Sequence, residues 1–523
     1  YMNFRQAAEQ VAEPQKIVSL LVADFDNQTG DPVFDGSLEA ALTIGLEGAS
    51  FVNSYPRHIA AQVAERISSA NKLDEETARL VSVREGIDLV LTGAITPDGG
   101  GYSLSQRVLD PLEGKLVAEA EASADTKPDV LPAVGELAAK IREALGDANL
   151  GEETMALNET FTSTSLEAVK LFAQGQSHAF REENVEAIEY YEKAVGKDPE
   201  FGRAYTAWAL SEFKLGRREK SEQLWQEALS RIDSMTDRER YRTLGVYYAA
   251  VTGNQRKAIE NYELLVEKYP ADAIGWNNLG VGYFSTLQFD KAMEVGGELV
   301  ELFPGNPAFQ ANYALFAMYA GDFELARREA EALIQEQPAY FLAYLPVAIA
   351  NIAEGKIIEA ESTYASMGEQ GERASSVASS GLADVALLRG DFEEAADLLR
   401  RGRASDLEFG NSLGYAYKGI YLAKALAALG KDDEASAVLD ESVADNNDIS
   451  HLVPAALQYI EMGLPEKAQA IREALASKLQ DRPRAAADAI GGALALSEKN
   501  FVAAVDAFNA SLPRLDFWLT RYY

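Results

Sequence analysis

The chain has no cysteine, only 3 histidines and few basic residues, with Lys+Arg 48 against Asp+Glu 82 in 523 residues. Each shortage removes a class of chemistry. Without thiols there is no disulfide, thiolate nucleophile, iron–sulfur cluster or Cys-based zinc site. A cysteine-free chain is also indifferent to whether its compartment oxidises or reduces. His58, His178 and His451 are far apart in sequence, which argues against a histidine metal cluster. No apolar run approaches the roughly 18–20 residues needed to span a bilayer, and no signal peptide opens the sequence. A formal net charge of -34 works against nucleic acid, whose phosphates need clustered Lys and Arg, and against anionic lipid. A solvated, aggregation-resistant surface explains this acidity; the alternative is an acidic groove for a basic partner. The length exceeds what one compact core can fill and predicts two or more cooperative units.

What the sequence does have is repetition. From about Ala168 onward it repeats every 34 residues. The clearest copy, Ala273 to Asn306, places Trp276, Leu279, Gly280 and Tyr283 on a first helix, Ala292 on a second and Pro304 at the exit. Ala326 and Pro338 follow Ala292 and Pro304 by 34, and Gly175, Ala187, Tyr191, Ala194 and Pro199 keep the same register in an earlier copy. Small residues let two antiparallel helices approach, large ones fill the gap, and proline stops the second helix. These residues resemble the tetratricopeptide repeat (TPR), a helix–turn–helix unit of this length. One unit cannot bury its apolar face alone, so such units stack into a solenoid. About ten are expected, starting near 168, 202, 239, 273, 307, 341, 376, 416, 449 and 485. The array reads as regular over 166–374 and more divergent over 375–523. Gly371–Ser380 intervenes where the exit proline disappears, which predicts a hinge or a change of superhelix.

The region ahead of the repeats is built differently. Residues 1–15 read as a helical lead-in, and 151–165 as a linker. Between them, over 16–150, apolar runs at 17–23, 51–53, 87–95, 102–109 and 115–122 predict strands, with helices near 36–48, 57–69, 74–85 and 128–146. Asp24–Pro32 is a loop by composition, and Gly99-Gly100-Gly101 turns a hairpin. The result is a layered α/β domain. Val22–Asn27, Gly30-Asp31-Pro32, Leu89–Ile95 and Val108–Lys115 resemble the TolB N-terminal-like α/β domain. In many bacterial signalling proteins that domain precedes a TPR array and follows a membrane helix and a serine/threonine kinase, a winged-helix regulator or a cyclase. Phe34–Glu39 and Leu46–Phe51 are most similar to the C-terminal, non-kinase regions of bacterial eukaryotic-like serine/threonine protein kinases. The chain has no His-Arg-Asp, no Asp-Phe-Gly and no phosphate loop on a strand, so the kinase implied by the resemblance lies upstream of Tyr1. The non-initiator start at Tyr1 and the helix-like finish at Leu515–Tyr523 lead to the expectation of a longer polypeptide.

Candidate chemistry is sparse. Asp24, Asp26, Asp31 and Asp35 invite a calcium reading, but Gly30 is one residue late for an EF-hand and Asp35 stands where a Glu is needed; turn and cap roles fit them better. Glu182-Glu183 and Glu393-Glu394 suit helix N-termini. No catalytic residue, metal site or cofactor is expected. The TPR resemblance implies that first helices line a concave wall and meet ligands at positions 2, 5, 6, 9, 12 and 13. Asn278 and Asn312 both fall at position 6, Tyr247, Phe284 and Tyr319 at 9, 12 and 13, and Lys214 adds a charge. Asparagine there can grip the backbone of an extended peptide; the alternative is that both amides bond locally and the aromatics pack between helices.

The expected fold class is mainly α, a TPR α-solenoid preceded by a small α/β domain. The expected function is a non-catalytic scaffold or sensor region of a membrane-anchored bacterial signalling kinase. It would bind a protein or peptide partner and no nucleic acid, touch the membrane only through an upstream anchor, and be compatible with oligomerisation. The resemblance implies an extracytoplasmic, periplasmic location. The rivals are a stand-alone periplasmic scaffold for envelope assembly and a cytoplasmic regulatory region of a cyclase or transcription factor.

Overall fold

A computed structural model of the chain describes residues 16–68, 72–147, 163–444, 448–478 and 480–514. The lead-in at 1–15, most of the linker at 151–165 and the finish at Leu515–Tyr523 lie outside the described residues. The fold is mainly α, a TPR-type solenoid of helical hairpins preceded by a small α/β domain. The chain divides into two compact units, Tyr1–Tyr247 with Glu260–Trp276, and Tyr248–Ile259 with Asn277–Tyr523.

The first unit opens with β1 (Val18–Val22), β2 (Asp26–Asn27), α1 (Ser37–Leu46), β3 (Val52–Ser54), α2 (Arg57–Ser68), α3 (Glu75–Glu85), β4 (Leu89–Asp98), β5 (Gly101–Leu109), β6 (Leu116–Ala124) and α4 (Val130–Ala144). The sheet order is β3-β1-β4-β5-β6. β1 is parallel to both neighbours, and β4, β5 and β6 form antiparallel hairpins. As a central strand, β1 is apolar on both faces. Leu20 and Val22 pack with Leu38, Leu42, Val134 and Leu137 of α1 and α4, while Leu21 and Ala23 join Ala60, Val63, Ala78 and Val81 of α2 and α3. The segment expected to be all loop, Asp24–Pro32, contains β2, where Asp26 and Asn27 pair with Ala94 and Ile95 of β4.

Repeat helices follow in the same unit: α5 (Leu166–Phe180), α6 (Asn184–Lys197), α7 (Gly202–Lys214), α8 (Arg218–Ser230), α9 (Asp237–Val246) and most of α10 (Gln255–Lys268). Two joints tie them to the α/β domain. The first is apolar, because Leu166 and Val169 of α5 share the core of α1 and α4. The second is polar and centres on Asp272, which is fully buried. Its carboxylate accepts from Arg238 Nε at 2.8 Å and Arg242 Nε at 2.7 Å. Arg238 also donates to the Glu47 carbonyl at the end of α1, and Ala271 N–H donates to the Ser50 carbonyl at 3.0 Å.

The remaining helices are α11 (Ala273–Ser285), α12 (Phe289–Leu302), α13 (Pro307–Ala320), α14 (Phe323–Glu336), α15 (Tyr344–Ala353), α16 (Ile357–Gly368), α17 (Glu372–Arg389), α18 (Phe392–Glu408), α19 (Ser412–Ala428), α20 (Asp432–Val443), α21 (Ile449–Glu461), α22 (Pro465–Ala476), α23 (Asp481–Ser497) and α24 (Phe501–Ser511). From α5 on, consecutive helices pair into ten hairpins among the described residues. The period is written in the backbone. Every turn inside a hairpin holds one residue in the left-handed region, with φ between 60° and 88°. Seven of these are glycines, from Gly216 to Gly463, and Glu182, Leu287 and Lys499 are the exceptions. A left-handed residue ends the first helix and reverses the chain, and only glycine adopts it without steric cost. None of the described helices is long and apolar enough to cross a membrane.

The Gly371–Ser380 segment, where a hinge or a change of superhelix is predicted, is mostly helix: α17 runs unbroken from Glu372, so the hinge is not seen there. Ala374, Ala378 and Gly381 are buried, and Gly381 is where the Tyr364 ring of α16 presses closest: an added Cβ would lie 2.2 Å from it. The segment is further held by a buried ion pair, Lys418 Nζ to Asp406 at 2.5 Å, which also engages Ser376 of α17. Small residues here serve close packing and not mobility.

Two predictions follow from this architecture. Burial alone would raise the Asp272 pKa, but Arg242 and Arg238 outweigh it and hold the carboxyl far below the usual range. A depressed folded pKa contributes stability in full above about pH 4 and loses it progressively in acid. Asp272→Asn is therefore expected to cost about 3–5 kcal/mol at pH 7, since it leaves the buried Arg238 guanidinium without its counter-charge and Arg242 with Glu47 alone. Denaturant unfolding at pH 7 and pH 2.5 should show the gap to wild type narrowing in acid. Leu287→Gly should raise stability by about 0.5–1 kcal/mol, because it relieves a left-handed strain of about 1 kcal/mol or more; a fall in the unfolding midpoint would contradict this.

Candidate functional site

The six residues singled out by repeat position are distributed over both units. Lys214 ends α7 and is exposed, and Tyr247 follows α9 with its ring 5.6 Å from that of Trp225; both belong to the first unit. In the second unit, Asn312 Nδ2 donates to Asn277 Oδ1 at 2.9 Å, so two adjacent first helices, α11 and α13, are joined by side-chain amides. The partner is Asn277 and not the expected Asn278, which is half-buried beside it. Phe284 and Tyr319 are brought together edge to face at 4.9 Å, in a cluster with Phe289 and Phe316. Tyr319 keeps half its surface open, at 50% exposure.

Each aspartate of the leading loop has a protein partner. Asp24 accepts from Arg57 and from Leu73 N–H, Asp26 from Gln28, Asp31 from Lys127 and Val33 N–H, and Asp35 from Asn27. No group of three potential metal ligands occurs among the described residues. His178 bonds Glu183 at 2.6 Å and stacks on Tyr190. His58 lies against Phe180, and burial, with a smaller contribution from Arg181, lowers its pKa to about 4. Gly99 and Gly100 form a two-residue hairpin turn between β4 and β5.

Ser376, Lys418 and Asp406 have the makings of a nucleophile with a basic neighbour: Ser376 Oγ is 2.9 Å from Lys418 Nζ, beside a shallow cleft lined by Ser375, Ser379 and Arg401. The chemistry does not support catalysis. Lys418 Nζ donates to Asp406 at 2.5 Å and to Ser376 Oγ, and Ser376 Oγ donates to Asp406 at 2.6 Å, so the hydroxyl proton is directed at a carboxylate and not at the lysine. The triad is a satisfied ionic bridge.

A further constellation escaped the repeat-position reading. Asp384 of α17 and Tyr417, Tyr421 and Lys424 of α19 interact electrostatically. Counted from the expected starts at 376 and 416, they occupy positions 9, 2, 6 and 9. The same count applied to the irregular half of the array would have found them. The Tyr417 and Tyr421 rings are 4.7 Å apart, and His451 of α21 meets Tyr417 edge-on at 6.2 Å. His451 is buried and its Nδ1 lacks a hydrogen-bond partner. Asp384 is half-buried with no ion pair or side-chain hydrogen bond among the described residues; burial pushes its carboxyl up to about 6, only partly offset by Lys424.

No family model matches the chain, and no curated protein matches its sequence. Among solved structures it is similar to a tetratricopeptide repeat protein from Parabacteroides merdae, at 16% identity over 46% of this chain and 94% of that one, with a TM-score of 0.34. It is also similar to the APC/C hetero-tetramer Cut9–Hcn1, at 18% identity over 74% and 75%, TM-score 0.38. A Rap protein complexed with Competence and Sporulation Factor aligns at 14% identity over 67% and 98%, TM-score 0.44. The assignment of fold rests on the hairpins themselves.

The sign of the Asp384 effect is testable. A folded-state pKa raised above the unfolded one gives stability below about pH 4 that is lost as pH rises through about 6. The groups facing it are Tyr364, Tyr417, Tyr421 and Lys424. Asp384→Asn should therefore stabilise the protein at pH 7.5, by up to about 2 kcal/mol, and leave it unchanged at pH 4. Thermal unfolding across that range checks both ends.

Proposed function

We propose that this chain is a non-catalytic interaction region whose first-helix faces hold an extended segment of a partner protein. The observation that carries the reading is the amide pair on adjacent hairpins, Asn312 to Asn277 with Asn278 beside it, flanked by the half-open Tyr319. Neighbouring packed helices lie about 8–10 Å apart, and an extended chain advances about 3.3 Å per residue. One amide per hairpin thus comes level with every third peptide group. An amide both donates and accepts, so it can hold a backbone without selecting its side chains.

On the resemblance of the leading domain, the chain belongs to a membrane-anchored bacterial signalling kinase, on its extracytoplasmic side. Kinase motifs followed by an apolar span of about 20 residues just before Tyr1 would support this placement. Neither being there would refute it while leaving the interaction reading intact.

The interaction reading is tested by affinity capture with wild-type chain and with Asn278→Ala combined with Asn312→Ala. The double variant should keep its helical circular dichroism and lose most of what the wild type retains. Equal retention by both would refute groove binding through these amides.

A further inference from the structure

We infer that the first-helix face of α17, α19 and α21 carries a subsite for one basic side chain of the bound segment, with Asp384 as its counter-charge and Tyr417 and Tyr421 as its aromatic walls. This rests on the reading of the first-helix faces as peptide-holding surfaces and adds the chemistry of what one of them selects.

Other partly buried acids in the second unit each have a cationic partner. Asp406 is met by Lys418, Glu329 by Arg328, Glu361 by Arg389, and Asp488 by Arg514. Asp384 is the exception, with no cation within ion-pair distance among the described residues. Lys424, the cation that acts on it, is exposed and makes no ion pair with it. An ionised carboxylate withdrawn from water and unpaired is costly, and its raised pKa is the measure of that cost. Such a group is stabilised when a ligand supplies the missing charge.

The surroundings specify which charge. Tyr417 and Tyr421, whose rings lie 4.7 Å apart, both interact electrostatically with the carboxylate, and a cation over an aromatic face is attracted where a neutral donor is not. A metal ion is disfavoured, since no three-ligand cluster includes Asp384. The chain's net charge of -34 draws cationic segments to this face and repels a second copy of itself. A lysine or arginine side chain satisfies the carboxylate and the rings together.

The test selects a randomised 12-residue peptide display library on the full chain and on Asp384→Asn, a variant expected to fold at least as well as wild type. Wild type should enrich peptides sharing one fixed Arg or Lys. Against a synthesised winner, Asp384→Asn should lose about tenfold in affinity, while changing that Arg or Lys to Gln should weaken wild type equally and the variant little. Enriched peptides with no basic position, or a basic preference unchanged by Asp384→Asn, would overturn the subsite and leave the peptide-holding reading standing. No enrichment on either protein would overturn both.

Discussion

The contact on which the first unit depends is the buried carboxylate of Asp272. Arg238 and Arg242 stand one helical turn apart on α9, so both reach the same point, just before α11 begins. Arg238 at the same time closes the C-terminal end of α1 through the Glu47 carbonyl, where the helix dipole leaves partial negative charge. With Glu47 3.8 Å from Arg242, two positive and two negative charges balance in a largely buried site. An apolar seam such as Leu166 and Val169 against α1 and α4 tolerates sliding; a charge-paired site is satisfied in only one register. The two joints together make the α/β domain and the first hairpins one cooperative body.

In the second unit the same problem, fixing the register of stacked helices, is solved twice. Where spacing is regular, glycine turns and ring-against-backbone contacts suffice, as with Gly296 under Tyr313. Where α17, α18 and α19 lengthen to 17 or 18 residues, the Lys418–Asp406 pair supplies the missing specificity by joining three helices through Ser376. Beside this satisfied network stands Asp384, a carboxylate the fold leaves unanswered. Of the two acids, Asp406 is paired within the architecture, and Asp384 has no ion pair among the described residues.

The helices and most strands were legible because each carries its pattern locally: β1 in a continuous apolar run, the hairpins in Gly, Ala and Pro at fixed offsets. β2 was not, because two residues become a strand only when β4 offers its edge. At Gly371–Ser380, where a hinge or a change of superhelix is expected, the hinge reading gives way to helix for a related reason. Gly, Ser and Ala spell both flexibility and close packing, and only the Tyr364 ring decides between them. Repeat counting put Asn278 and Asn312 on one line, yet a helix advances 100° per residue and it is Asn277 that faces its neighbour. Asp384 was invisible as a site because its solitude is defined by side chains from three helices.

The left-handed leucine at 287 carries a consequence for how the array responds to temperature. Its turn is clasped by Phe284 and Phe289, whose rings lie 5.6 Å apart across it. Steric strain at φ 61 hardly changes with temperature, whereas apolar association weakens as water is cooled. The fourth hairpin thus sets an apolar clasp that weakens on cooling against a backbone strain that does not, a pairing absent from the glycine turns of the hairpins on either side.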